Sequence, residues 1–103
     1  MLDYPEFKRW FMSALKTLES AKLDYDHGFY SWACFKSHQA AEKALKALLW
    51  GLGRPRTGRS LPVLLSWLGN VLGNIPDDIK EYCIRLNKMY IPTRYPCVER
   101  GNA

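Results

Sequence analysis

Residues 30–53, with the sequence YSWACFKSHQAAEKALKALLWGLG, decide the fold of this chain. The stretch contains no proline, its glycines stand at its end, and it is rich in alanine, leucine, lysine, glutamate and glutamine, which are the strongest helix formers. Ser31 is a suitable N-cap, and Gly51 and Gly53 can end a helix in the left-handed conformation. The stretch therefore predicts one helix over residues 31–50.

The predicted helix carries apolar side chains on several sides, which is typical of a helix that is packed on several sides. Three polar residues, Lys36, His38 and Gln39, lie early in it, and Glu42 follows His38 at the spacing that places both on one face. Two interpretations remain open for these polar groups. They form either a solvated face with one core histidine or a cluster that faces a ligand, because polar groups beside a tight contact are either satisfied locally or functional.

Apolar residues at helical spacing and start signals predict three further helices. The four predicted helices are residues 5–25, 31–50, 61–72 and 76–90. Gly28 ends the first helix, and the short connection makes the first two helices antiparallel neighbours. Ser60 caps the third helix. The pattern predicts an all-α, antiparallel up-and-down four-helix bundle, followed by an ordered segment that contains Pro92 and Pro96.

Length and composition limit the possible classes of protein. With 103 residues the chain forms a single domain over residues 1–103. No apolar run reaches the roughly 18 residues of a membrane span, and the N-terminus lacks the pattern of a signal peptide, so we expect a cytoplasmic protein without a membrane partner. The three cysteines, Cys34, Cys83 and Cys97, lack metal-site spacing, so neither a metal nor another cofactor is predicted.

The positive charge of the chain is most concentrated in residues 51–60. The net charge is +5, and these ten residues contain Arg54, Arg56 and Arg59 but no acidic residue. The loop is either a solvated basic loop or a phosphate-facing loop, in which glycine permits close backbone approach and arginine offers paired donors. It is not a P-loop, because the Lys-Ser/Thr ending is missing.

Three stretches resemble the HEPN domain family (higher eukaryotes and prokaryotes nucleotide-binding). They are residues 30–49, Gly58-Arg-Ser-Leu61, and Leu86-Asn-Lys-Met-Tyr-Ile-Pro-Thr-Arg-Tyr-Pro96, which contains the Ile-Pro-Thr-Arg-Tyr-Pro motif of one sub-group. The resemblance implies a helical bundle, usually a homodimer, that binds a nucleotide or RNA. It also implies pairing with a minimal nucleotidyltransferase as toxin and antitoxin.

Several members of that family are metal-independent ribonucleases that use an Arg-x4–6-His motif. This chain departs from the motif, because no arginine is followed by a histidine at that spacing. Arg85 is followed at the matching distance by Tyr90, which cannot act as a base near neutral pH as histidine can. No catalytic residue is therefore predicted.

The sequence and the resemblance together predict a non-catalytic module that binds a nucleotide or RNA within a toxin–antitoxin-type pair. Arg94 is the predicted main phosphate ligand, and Tyr90 and Tyr95 offer ring faces for stacking. The further predicted binding residues are Lys36, His38, Arg59 and Arg85. One alternative is a protein-interaction partner of the nucleotidyltransferase without a ligand of its own. The other is a ribonuclease that uses Arg85 and Arg94.

Overall fold

A computed structural model describes residues 3–88 of the chain, and four α-helices account for most of them. The helices are α1 (Tyr4–Asp26), α2 (Tyr30–Gly51), α3 (Leu61–Leu72) and α4 (Asp77–Asn87). The predicted all-α bundle is confirmed. The predicted extension of the fourth helix to Tyr90 and the segment around Pro92 and Pro96 lie outside the described residues.

Two helices begin at side-chain caps. The carboxylate of Asp3 accepts a hydrogen bond from the backbone N–H of Glu6 at 3.2 Å at the start of α1. The hydroxyl of Ser60 accepts one from the N–H of Val63 at 3.4 Å at the start of α3. Each cap satisfies a backbone donor that has no partner inside its own helix, so local residue types determine both starting points.

The start of α2 differs from the prediction, because Ser31 lies inside the helix and does not cap it. The N-cap is Phe29, which offers no capping side chain. Gly28 adopts a positive φ of 85°, and the N–H of Phe29 bonds to the carbonyl of Asp24 at 2.8 Å. The chain is thus already reversed at Phe29, and the helix begins at Tyr30 before Ser31 is reached.

Helices α1 and α2 form a long antiparallel pair. The N–H of Asp3 donates to the carbonyl of Gly51 at 3.0 Å, which joins the start of one helix to the end of the other. Small side chains at a helix contact allow the helices to approach closely. The buried alanines of the two helices are Ala14, Ala21, Ala33, Ala40 and Ala47. Lys43 strengthens the pair by donating to the hydroxyl of Thr17 at 2.9 Å.

The opposite side of α2 packs against α3 and α4 through a leucine-rich core. Its buried residues are Leu45, Leu49, Leu61, Leu64, Leu65, Leu68 and Cys83. The four that α3 supplies follow the i, i+3, i+4, i+7 spacing of one helical face. Helices α3 and α4 are antiparallel, since the N–H of Leu61 at the start of α3 bonds to the side-chain oxygen of Asn87 at the end of α4 at 2.9 Å. This bond fixes the position at which the preceding loop enters α3.

Leu64→Ala should lower the free energy of unfolding by about 2–5 kcal/mol, because Leu64 is 1% exposed and its removal leaves a cavity. Val63→Ala is the matched control, since its neighbouring side chain is 52% exposed and should cost about 0.5 kcal/mol or less. Urea unfolding of the two variants measures the difference. Equal losses would contradict the assignment of the core face of α3.

Candidate functional site

Residues 52–60, which we term the arginine loop, connect α2 to α3. The N–H of Arg54 bonds to the carbonyl of Leu49 at 2.8 Å, so the first part of the loop folds back on the end of α2. Gly53 and Gly58 have positive φ values of 74° and 107°, which glycine adopts without strain. The two glycines therefore determine the path of the loop backbone, from which the side chains of Arg54 and Arg56 project.

The side chains of Arg54, Arg56 and Arg59 are exposed, and none of them forms an ion pair with another residue of the described part of the chain. The Cζ of Arg56 lies 4.0 Å from the centroid of the Trp67 ring, within the range of a cation–π contact. The arginine loop is thus a cationic surface whose guanidinium groups form no ion pair with a carboxylate of residues 3–88.

The buried side chain of His38 supports the end of the arginine loop through a hydrogen bond. Its side chain is 0% exposed, and its Nε2 donates a hydrogen bond to the backbone carbonyl of Arg59 at 3.0 Å. A carbonyl oxygen only accepts, so Nε2 carries the proton. The side chain of Asn87 lies beside the ring and favours its charged form, which opposes the effect of burial on the pKa of His38. The interpretation of His38 as a core histidine fits these contacts, because the ring is inaccessible to a ligand in solution.

Burial lowers the pKa of His38, since the surroundings disfavour the charged imidazolium. The carboxylate of Glu42 acts in the opposite direction, and its Oε1 lies 3.9 Å from Nδ1. The other oxygen of Glu42 pairs with Lys46 at 2.7 Å, which reduces its effect on the ring. The neutral form of His38 is therefore the one that supports the loop.

Two other predicted binding residues are neutralised within the protein. Lys36 pairs with Asp24 at 2.8 Å and donates to the hydroxyl of Ser20 at 2.9 Å, so it joins α2 to α1. Arg85 is exposed and pairs with Glu81 at 3.0 Å along α4. Each of these cations already has a carboxylate partner.

The structure thus brings together only part of the predicted site. His38 and Arg59 are in contact, whereas Lys36 faces the other side of α2. The predicted residues Tyr90, Arg94 and Tyr95 lie outside the described residues.

Two residues that sequence analysis did not assign to a site, Trp67 and Asn70, border the arginine loop. With Arg54 and Arg56 they line a cavity of about 70 Å³. Trp67 is 39% exposed, because it lies off the buried leucine stripe of α3. That displacement from the i, i+3, i+4, i+7 face was visible in the sequence and could have identified Trp67 as a surface residue.

The described part of the chain has no group of three His, Cys, Asp or Glu side chains placed to hold a metal ion. Between residues 3 and 88, no helix has the length and apolar character needed to cross a membrane. The chemistry available at the arginine loop is therefore that of guanidinium groups, an indole ring and an amide.

The HEPN domain family matches residues 7–101, which is nearly the whole chain. The chain belongs to the HEPN-domain family. The predicted family is thereby confirmed, whereas the sub-group with the motif in residues 91–96 stays a prediction. No curated protein matches the chain.

Three solved structures resemble this HEPN domain in both sequence and fold. TT1696 from Thermus thermophilus is 40% identical with a TM-score of 0.80, over 87% of this chain and 70% of that protein. A HEPN domain protein (TM0613) from Thermotoga maritima is 40% identical with a TM-score of 0.75, over 80% and 68%. ST0689, described as an archaeal HEPN homologue, is 39% identical with a TM-score of 0.72, over 89% and 70%. Their agreement supports the helical arrangement that positions the arginine loop.

The lowered pKa of His38 predicts a specific loss of stability on acidification. Below the ordinary value of 6.5, the unfolded chain takes up a proton on this histidine while the folded state keeps it neutral, so the free energy of unfolding falls until the lowered pKa is reached. Urea unfolding between neutral and mildly acidic pH should show a steeper fall for the native sequence than for His38→Gln. His27 and all carboxylates are common to both proteins. Parallel pH profiles would contradict the buried, neutral His38.

Proposed function

We propose that this HEPN domain is a non-catalytic module that binds a nucleotide or RNA, and that the arginine loop contributes its phosphate-binding surface. The observation that carries the proposal is the set of exposed guanidinium groups of Arg54, Arg56 and Arg59 without an ion-pair partner among residues 3–88. Arg94, with Tyr90 and Tyr95, remains part of the proposal as a second group of ligands that the sequence places in the C-terminal segment.

Guanidinium groups suit this task, because each presents paired N–H donors that match two phosphate oxygens. A cation that already pairs with a carboxylate must give up that partner before it binds an anion. Lys36 and Arg85 are in that position, with carboxylate oxygens at 2.8 and 3.0 Å. The arginines of the loop have no such competitor in the described part of the chain. Of the predicted residues Lys36, Arg59 and Arg85, we therefore propose that Arg59 contacts phosphate.

The placement of the histidines supports a binding role over RNA cleavage. The chain has two histidines, and His38 is completely buried. His27 lies in the turn after α1, where its Nδ1 contacts the carbonyl of Leu23 at 2.8 Å. Cleavage needs a base positioned at the reacting hydroxyl. No histidine among the described residues lies on the arginine loop to serve as one.

The triple variant Arg54→Gln, Arg56→Gln, Arg59→Gln should bind a labelled single-stranded RNA at least about tenfold more weakly, because even about 0.5 kcal/mol for each exposed contact sums to that factor. The dependence of log K on log salt should become shallower by about 2, since each lost contact to a single strand removes about 0.7. Fluorescence anisotropy over a range of salt concentrations measures both quantities.

The matched control for this experiment is Lys8→Gln, Lys16→Gln, Lys22→Gln, which removes the same charge from exposed positions on α1. Equal losses in the two triple variants would show that only net charge matters and would overturn the assignment to the loop. A gel of the same mixtures should show full-length RNA after prolonged incubation. Shortened RNA that depends on protein concentration would support the ribonuclease alternative.

A protein partner is the second candidate role, and an apolar groove lined by residues of α1, α2 and α4 favours it. The groove has a volume of about 350 Å³ and is lined almost entirely by apolar atoms. Phe11, Leu15 and Leu18 on its α1 side are 39%, 45% and 39% exposed. An amphipathic helix of a partner can occupy such a groove. The candidate partners are a second copy of this chain and a minimal nucleotidyltransferase of a toxin–antitoxin-type pair.

Leu15→Glu should weaken association with either partner by at least about tenfold, because it places a charge in the apolar groove. Leu23→Glu is the matched control, since Leu23 lies on the same helix, is 57% exposed and does not line the groove. Light scattering during size-exclusion chromatography measures self-association, and co-purification tests the nucleotidyltransferase. Equal behaviour of the two variants would contradict the use of this groove.

A further inference from the structure

Arg56 and Trp67 form a cation–π pair at the edge of the arginine loop. The Cζ of Arg56 lies 4.0 Å from the centroid of the Trp67 ring, and Trp67 itself is 39% exposed. We propose that this pair is a stacking platform for an unpaired base of a single-stranded nucleic acid. The inference rests on the proposed function and narrows its ligand class to single strands, whose bases are accessible.

The geometry of the pair offers a contact to a base in addition to the phosphate contact that the charge of Arg56 provides. A guanidinium group held against an indole keeps its plane in one orientation, and bases stack on guanidinium planes as they do on aromatic rings. Arg56 is an exposed residue, so a base can reach it and extend the stack from Trp67 through Arg56. The ring, and not a carboxylate of the described residues, holds the guanidinium in place.

The cavity and the side chains around the Arg56–Trp67 pair limit the kind of ligand that can bind to it. The adjoining cavity of about 70 Å³ is smaller than the roughly 150 Å³ that encloses benzene in an engineered protein, so a base lies on the surface instead of inside a pocket. Binding through a ring face is tolerant of sequence, because every base has such a face. Asn70 borders the cavity and offers an amide donor and acceptor to a base edge. Arg54 and Arg59 remain available for the flanking phosphates.

A second arginine–tryptophan pair in the chain shows why the first one is the better platform. The Cζ of Arg9 lies 5.4 Å from the centroid of the Trp10 ring, but Arg9 also pairs with Glu6 at 2.7 Å. The carboxylate of Glu6 neutralises that guanidinium and repels a phosphate chain. Arg9 therefore provides a matched internal control that has the same residue types without the open cationic face.

The decisive variant is Arg56→Lys, which keeps the charge and removes the planar group. We expect it to bind a short oligouridylate at least about fivefold more weakly than the native protein, the lower limit of the effect of losing one stacked base. Its salt dependence should be unchanged, because the number of charges is the same. Arg9→Lys should leave the affinity unchanged. Arg56 is exposed, so the substitution tests binding with little risk to folding.

The matched ligand is an abasic ribose-phosphate oligomer of equal length, which keeps the phosphates and lacks the bases. The native protein should prefer the oligouridylate, and Arg56→Lys should reduce that preference. Trp67→Leu should act like Arg56→Lys, whereas Trp32→Leu should have no effect, because Trp32 is 54% exposed near the other end of α2.

The outcomes separate this inference from the function on which it rests. Equal affinity of the native protein for the two oligomers, or an unchanged affinity of Arg56→Lys for the oligouridylate, would overturn the stacking platform while leaving phosphate binding intact. Failure of the native protein to bind either oligomer at low salt would overturn the proposed function itself. A preference for the oligouridylate that disappears in both Arg56→Lys and Trp67→Leu would support the platform.

Discussion

The hydrogen bond from the buried His38 ring to the carbonyl of Arg59 is the contact on which the candidate site depends. The ring belongs to α2, the carbonyl belongs to the arginine loop, and Asn87 of α4, which accepts a hydrogen bond from the first N–H of α3, lies beside the ring. Three helices and one loop therefore meet at a single neutral side chain. A buried hydrogen bond is costly to break, so the bond from Nε2 of His38 to the carbonyl of Arg59 favours one arrangement of the loop.

The position of this contact follows from the two-sided character of α2. Lys36 and His38 are two residues apart, which is roughly 200° around the helix axis. Lys36 consequently faces α1, where Asp24 and Ser20 satisfy it, while His38 faces the loop and α4. The polar cluster that the sequence shows in α2 is thus divided between two internal interfaces. The cationic side chains that remain available to a ligand therefore lie in the arginine loop, which follows α2, and not in the polar cluster of α2.

The sequence predicts the helices more completely than it predicts the site. Helical spacing and the cap at Ser60 place α3 within its observed bounds, because local residue types decide those features. The predicted N-cap of α2, Ser31, is wrong. The turn at Gly28 determines where the helix begins, and the capping preference of Ser31 does not. Whether a carboxylate neutralises a cation such as Lys36 depends on long-range contacts. Sequence spacing alone therefore could not predict that Lys36 forms an ion pair and Arg59 does not. The surface position of Trp67 could have been predicted, because this residue lies off the buried leucine stripe of α3.

The absence of ion pairs at the arginine loop, within residues 3–88, makes physical sense for a surface that receives an anion. Two like charges about 10 Å apart in water repel by only about 0.4 kcal/mol before screening, so exposed arginines can remain close together without much loss of stability. A carboxylate partner would relieve this small repulsion but would then compete with every incoming phosphate. Anchoring the loop through the backbone of Arg59 avoids that conflict. The carbonyl is held by His38 in the interior, and the guanidinium of the same residue stays available at the surface.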